Sequence, residues 1–280
     1  MAQTGMNISF KGGIIMNITI VGPRGAMGRA LIQEIAKNED FSLFSAIGRE
    51  GAPYIGEDAG IVAGAGKFMG VAITSDIATA IRGSQMIVDF SVPEASEQVL
   101  AHAVQRKVPL VCGTTGFSRG QYGLFQEASG EIPIVVASNT SRVVYLMRRL
   151  LAEAAHALQE AEIEVIDMHA RSKKDAPSGT ALEFLQTMGA VRNLDLKEEV
   201  AFGRKGQQTA SQKEIGVHSI RSGDVPSSHT VWFGLPGERL EIAHHATGMK
   251  SFALGALEAA RFLYDREPGL YTMEEVFSVR

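Results

Sequence analysis

Asn17-Ile18-Thr19-Ile20-Val21-Gly22-Pro23-Arg24-Gly25-Ala26-Met27-Gly28 is the stretch that decides the fold. Its first five residues form a run rich in β-branched side chains, the pattern of a buried strand. Gly22, Gly25 and Gly28 then make a tight loop. Met27, Leu31, Ile32 and Ile35 follow as an apolar stripe at helical spacing. Strand, glycine loop and helix in this order bring backbone N–H groups and the positive end of a helix dipole to one place, where a pyrophosphate can sit. The spacing departs from G-x-G-x-x-G, because Arg24 occupies the middle glycine position. Glycines alone are equally compatible with a structural turn. Their place between strand and helix favours dinucleotide binding, with Gly22, Arg24, Gly25, Ala26, Met27 and Gly28 as the contacts.

Outward from this turn the pattern repeats. Strands are read at 41–47, 85–90, 108–112 and 133–137, separated by helix-length segments. Parallel strands need such crossovers, so the first half is expected to be α/β, a doubly wound parallel Rossmann sheet. An enzyme that uses NAD is expected to end its second strand with an acid for the ribose 2′-hydroxyl. Here the chain reads Ile47-Gly48-Arg49-Glu50. Arg49 suits a 2′-phosphate, so NADPH is preferred; Glu50, a residue or two late, leaves NADH possible, and Arg49 can also be read as a solvated loop charge. Asp89-Phe90-Ser91 and Gly113-Thr114-Thr115-Gly116 fall where strand ends face a cofactor, though each also fits an ordinary turn. Gly113, Thr114, Thr115, Ala137 and Asn139 complete the expected cofactor contacts.

The pattern changes near residue 140. Met147, Leu150, Leu151, Ala154 and Leu158 form a helical stripe, 162–169 reads as a strand, and a helix starts near Gly179. The β segments 215–221, 230–234 and 240–246, broken by turn residues, are expected to be antiparallel, which makes the second, smaller domain α+β. A last helix spans about 251–264. The expected division is 16–139 for the dinucleotide-binding domain and 140–249 for the substrate-binding and oligomerisation domain, with 1–15 as an extension.

Composition narrows the function. A net charge of −4 gives no electrostatic reason to expect nucleic acid or an anionic membrane as partner. The single cysteine, Cys112, can form no internal disulfide and no cysteine-based zinc site, which fits a reducing compartment. No secretory pattern opens the chain and no apolar run approaches the ~20 residues of a membrane span, so a cytoplasmic location is expected. No metal is expected either. His244 and His245 are consecutive and point to opposite faces of a strand, and His218 and His229 lie on different segments.

The stretch Met168-His169-Ala170-Arg171-Ser172-Lys173-Lys174-Asp175-Ala176-Pro177-Ser178-Gly179-Thr180-Ala181 carries the chemistry. It is strongly cationic and ends at a helix start, where Ser178, Gly179 and Thr180 expose donors suited to a carboxylate. A small anionic substrate follows. Lys173 to Ala181 resembles the K-x-D-A-P-S-G-T-A motif of the 4-hydroxy-tetrahydrodipicolinate (dihydrodipicolinate) reductase family of diaminopimelate and lysine biosynthesis. Gly25-Ala26-Met27-Gly28, Asp89-Phe90-Ser91, Gly113-Thr114-Thr115-Gly116, Arg221-Ser222-Gly223-Asp224 and Gly237-Glu238-Arg239-Leu240-Glu241 support the resemblance.

The resemblance implies hydride transfer from NAD(P)H to a cyclic imine dicarboxylate. By position His169 matches the catalytic histidine, Lys173 the proton donor, and Gly179 and Thr180 the carboxylate contacts. It also implies a homotetramer built through the second domain, with 250–280 returning to the first. The chain departs from the family at Ala170, Thr140, Arg142, Tyr145 and Met249, in segments near the substrate. A related reductase of another anionic imine or keto acid, or a non-catalytic NADP-binding paralogue, are the alternatives these changes leave open.

Overall fold

The computed structural model describes residues 15–207, 209–211 and 213–278. The extension expected over 1–15 lies, apart from Ile15, outside them. The chain divides into two compact units, Met1–Ala137 with Phe252–Arg280, and Ser138–Ser251.

The first unit opens with β1 (Met16–Val21), α1 (Ala26–Ile35), β2 (Phe41–Ile47), α2 (Ala59–Ala63), β3 (Ile73–Thr74) and α3 (Ile77–Ile81). It continues through β4 (Met86–Asp89), α4 (Pro93–Arg106), β5 (Leu110–Cys112), α5 (Arg119–Ala128) and β6 (Pro133–Val136). Local chemistry sets several boundaries. Pro93 opens α4, where its missing N–H costs no helical bond. Ser118 and Gln121 close a capping box on α5. Met16, Ile18 and Ile20 on β1 are fully buried, and Val21, Ile81, Ile87, Val99, Leu110 and Phe125 pack into one core.

The second unit contains α6 (Arg142–Ala157), β7 (Glu162–His169), α7 (Gly179–Arg192), β8 (Val200–Phe202), β9 (Ile215–Arg221), β10 (Ser227–Leu235) and β11 (Glu238–Ala246). Then α8 (Lys250–Leu263), β12 (Gly269–Tyr271) and α9 (Met273–Ser278) end the chain. From Phe252 onward this tail belongs to the first unit, where Arg261 pairs with Asp40 and β12 adds to β6 in parallel.

The first sheet runs β12-β6-β5-β4-β1-β2-β3, and all its pairings are parallel. The strand order turns back between β1 and β4, and ligands bind at the carboxyl ends of strands at such a switch point. This is the doubly wound parallel sheet expected from the sequence.

The second sheet runs β11-β10-β7-β9-β8 and is mixed. β10 is antiparallel to β7 and β11, whereas β9 lies parallel to both β7 and β8. The expectation that 215–221 pairs antiparallel is therefore corrected. α7 follows β7 as a crossover, and a crossover returns the chain in the same direction. α6 and α7 cover one face of this sheet, packing Met147, Leu151 and Phe184 against Val165, Val217 and Phe233. Leu150, read as part of the buried stripe, is 47% exposed, and Val144 and Ala155 share the buried side instead. Arg192, at the end of α7, donates to the carbonyls of Ala155, Leu158 and Ala161, satisfying acceptors that the end of α6 leaves open. Among the described residues no helix is long and apolar enough to cross a membrane.

Candidate active site

In the first unit the glycine turn borders a cleft of about 550 Å³, lined by Gly22, Gly25, Gly48, Arg49, Tyr54 and Ser91 among others. Two of the glycines are demanded by the fold. Gly22 has φ +80°, and a Cβ there would lie 2.7 Å from the Phe90 carbonyl oxygen. A Cβ on Gly28 would lie 2.0 Å from the Gly22 carbonyl oxygen. Gly25 is the N-cap of α1 and contributes no side-chain cap, and the first turn holds no acid, so this helix start is chemically open to an anion.

The end of β2 explains its missing acid. A Cβ on Gly48 would lie 2.6 Å from the Tyr54 ring and 2.9 Å from Ile73, so no carboxylate fits. Two arginines neighbour that ring, Arg24 through its guanidinium and Arg49 through its backbone. The Arg24 guanidinium lies 5.6 Å from the Tyr54 centroid, and the Arg49 amide donates to the Tyr54 hydroxyl at 3.4 Å. Glu50 also lines the cleft.

The loops after β4 and β5 are tied together. Asp89 is buried, and burial pushes its carboxyl above the usual range. Ser91 donates its hydroxyl to Asp89 at 2.6 Å. Thr114 accepts from the Ser91 amide at 3.0 Å and from the Ser96 hydroxyl at 2.9 Å. Thr114 is thus a buried brace, whereas Thr115 is exposed. Gly113 is needed because a Cβ would fall 1.9 Å from the Phe90 ring. The Cys112 thiol is pushed up to about 12 by burial and by Asp89, which leaves it chemically inert.

The second unit gathers the segment 168–181 around a residue that the sequence reading did not single out. β7 alternates, so Ile163, Val165, Asp167 and His169 all face inward. Asp167 is fully buried. Its Oδ2 accepts from the Ser178 amide at 2.8 Å, from Arg221 Nη2 at 2.9 Å and from the Ser219 hydroxyl at 3.4 Å. Its Oδ1 lies 3.1 Å from His169 Nε2 and 3.3 Å from His229 Nε2. These last contacts are close, but their angles are not those of hydrogen bonds. The surrounding donors outweigh burial and hold the Asp167 carboxyl far below the usual range.

The two histidines differ. His169 places Nδ1 3.2 Å from the Pro226 carbonyl oxygen, which only accepts, so that nitrogen carries a proton. His229 is fully buried between His169, Phe184 and His244, and burial lowers its pKa despite Asp167. His244 is lowered to about 4, by burial and then by its neighbours His229 and His245. Ligand atoms of Asp167, His169 and His229 lie within 4.8 Å of one another, a set with metal-ligand chemistry. Arg221 pairs with the same carboxylate at 2.9 Å.

Lys173 is partly exposed and pairs with Asp175 at 2.9 Å. Ser178 caps α7 through the Ala181 amide at 3.2 Å. Thr180 accepts from Asn139 Nδ2 at 2.8 Å, so Asn139, read as a cofactor contact, touches the expected substrate side. Ala137 extends the first sheet by donating to the Cys112 carbonyl at 2.9 Å. Thr140, Arg142 and Tyr145 sit at the start of α6 or just before it, with Thr140 buried.

Two family profiles match the chain in tandem: "Dihydrodipicolinate reductase, N-terminus" over residues 16–140 and "Dihydrodipicolinate reductase, C-terminus" over residues 143–277. The 4-hydroxy-tetrahydrodipicolinate reductase of Nitrosomonas europaea is 42% identical over 267 residues, 95% of this chain and 99% of its own. That of Alkalilimnicola ehrlichii is 40% identical over 264 residues, 94% of this chain and 98% of its own. Among solved structures, a dipicolinate-bound dihydrodipicolinate reductase from Paenisporosarcina sp. TG-14 shares the fold. Its TM-score is 0.71 at 23% identity, covering 94% of this chain and 99% of that one.

Proposed function

This chain belongs to the dihydrodipicolinate reductase family of nicotinamide-dependent oxidoreductases, and we propose that it reduces 4-hydroxy-tetrahydrodipicolinate with NADPH, using the donors around Asp167 to hold the substrate and supply the proton. The overall step consumes the substrate, one NADPH and one proton, and yields tetrahydrodipicolinate, NADP⁺ and water.

The observation that carries this reading is the joining of Ser178, Arg221, His169 and His229 on one buried carboxylate, with Lys173 on the same loop. A cyclic dicarboxylate needs anion donors and a proton source side by side. Ser178, Gly179 and Thr180 form the open start of α7, and a Cβ on Gly179 would meet nothing closer than Ser138 at 3.6 Å. The fold therefore leaves room for a side chain there, and close approach of a substrate carboxylate accounts for the glycine. Lys173 Nζ supplies the proton as the ring is reduced, and the nearby His169 shapes the charge around that step.

The cleft beside Gly22 and Gly25 fits a dinucleotide, which supplies the hydride when bound. Gly22, Arg24, Gly25, Ala26, Met27 and Gly28 hold its phosphates, and Gly113, Thr114, Thr115 and Ala137 belong to its nicotinamide side. Preference for NADPH is supported by Arg24 and Arg49 around Tyr54, and by the space at Gly48 being closed to an acid. A homotetramer assembled through the second unit is supported by the sheet face opposite α6 and α7, where Trp232 and Ile220 stay partly exposed. The lone, buried Cys112 suits a reducing compartment, the cytoplasm.

The test is absorbance decay of NADPH with substrate generated in situ from pyruvate and aspartate semialdehyde by the preceding synthase. An NADH arm and a Lys173→Met control run beside it. Turnover with NADPH, weaker with NADH and reduced about 100-fold in the control, is expected. NADPH binding without turnover would remove the substrate assignment.

A further inference from the structure

Asp167 has so far served only as the point where Ser178, Arg221, His169 and His229 meet. Its two oxygens do different work. Oδ2 is saturated by the Ser178 amide, Arg221 and Ser219, and so fixes the first residue of the turn that leads into Gly179 and Thr180. Oδ1 faces Nε2 of both His169 and His229. Arg221 fastens the carboxylate from the other side, donating also to the Asp167 carbonyl at 2.9 Å and the Asp175 carbonyl at 2.7 Å. That last bond reaches the loop that carries Lys173.

Resting on the reading above, we propose that Asp167 is a positioning residue that sets both halves of the substrate site, the carboxylate-binding turn at 178–180 through Oδ2 and the His169 ring through Oδ1. The His169 geometry supports this. Nδ1 is committed to the Pro226 carbonyl, which leaves Nε2 facing the Asp167 charge. The charged groups around the carboxylate are Arg221, His169 and His229, with Lys173 and Asp175 on the adjoining loop and His244 beyond His229. Its negative charge thus stands among Arg221, Lys173 and three histidines. An uncharged isostere would release the histidine while leaving the shape intact.

In Asp167→Asn, kcat should fall about 100-fold, as expected when a carboxylate that orients a working histidine is neutralised. Its pH profile of kcat should differ from that of wild type. Affinity for dipicolinate, a planar dicarboxylate probe, should fall about 10-fold through the loosened turn. Added to His169→Ala, Asp167→Asn should lower kcat by less than about 3-fold further, because both act through one ring, while its effect on dipicolinate persists in full. Asp167→Glu, which keeps the charge, should recover about 10-fold of the lost kcat.

Multiplicative losses in the double variant, or a wild-type kcat and pH profile in Asp167→Asn, would overturn the proposal. Should the asparagine variant not fold, Asp167→Glu decides: wild-type kcat, KM and pH profile there would equally overturn it. If the wild-type protein itself shows no turnover, the substrate reading fails, and dipicolinate affinity together with ¹⁵N-histidine spectra still decides. His169 and His229 signals are expected to move in Asp167→Glu while His156 stays in place. Unmoved His169 and His229 signals would rule the positioning role out.

Discussion

The glycine turn after β1 and the charged cluster on β7, proposed as the cofactor and substrate sites, are built by opposite means. The first is made of backbone and space. Gly22 and Gly28 are there because no Cβ fits, and Gly48 stands where an acid is expected because Tyr54 and Ile73 fill the room. The second is made of buried charge, with Asp167, Arg221 and three buried histidines drawn from β7, β9, β10 and β11. A site made of space fails by crowding, and a site made of charge fails by titration or neutralisation.

The sharpest way to break the first kind is Gly28→Ala. With a Cβ 2.0 Å from a backbone oxygen the turn must open, so NADPH affinity should fall at least about 100-fold and stability by about 1–3 kcal/mol. Titration of NADPH fluorescence and a melting curve check both. Normal affinity with normal melting would show that the turn tolerates crowding.

Gly179→Ala is the counterpart on the second unit. Its nearest neighbour would be Ser138 at 3.6 Å, an ordinary contact. Melting should stay within about 2 °C of wild type, while KM for the substrate rises about 10-fold or more as a carboxylate contact is lost. Loss of stability with unchanged KM would mean that the glycine serves the fold after all.

The pH response comes last, and its sign separates the two units. His244 is held at about 4 by burial, below its ordinary 6.5. The unfolded chain takes up a proton below 6.5 that the folded chain refuses until about 4. The contribution to stability is therefore full above 6.5 and lost as pH falls to about 4. It is on the order of 2 kcal/mol. His229 acts in the same direction, and Asp167 adds a further loss once pH drops below its ordinary 3.8. Asp89 has the opposite sign, because its raised pKa makes protonation favour the folded first unit. Trp232 is the single tryptophan and lies on β10, so its fluorescence reports the second unit alone. Its urea midpoint should drop between pH 7 and pH 4.5, and His244→Gln should flatten that slope.

The same contrast explains what was legible in the sequence. A site of backbone and space is written in consecutive residues, so 17–28 gave strand, turn and helix correctly, and the strand read at 41–47 is β2. A site of charge collected from four strands is not. His169 and Lys173 stood out through a local motif, while Arg221 and His229 join them only through the registers Ile166–His218 to His169–Arg221 and His229–Asp167. One signal was available for Asp167. It shares the inward face of β7 with Ile163 and Val165, and a carboxylate on such a face requires partners. The parallel β7–β9 pairing was missed because alternation in a sequence carries no direction. β3, β8 and β12 are two or three residues long, too short for a period to show.

The most direct test of the central claim follows the hydride itself. NADPH carrying deuterium at the transferable C4 position is mixed with the protein and freshly generated 4-hydroxy-tetrahydrodipicolinate, and the product is weighed by mass spectrometry. Tetrahydrodipicolinate bearing one deuterium is expected, formed in step with NADPH loss and strongly slowed in Asp167→Asn. NADPH oxidised with no deuterium in the product, or product formed without NADPH loss, would contradict it.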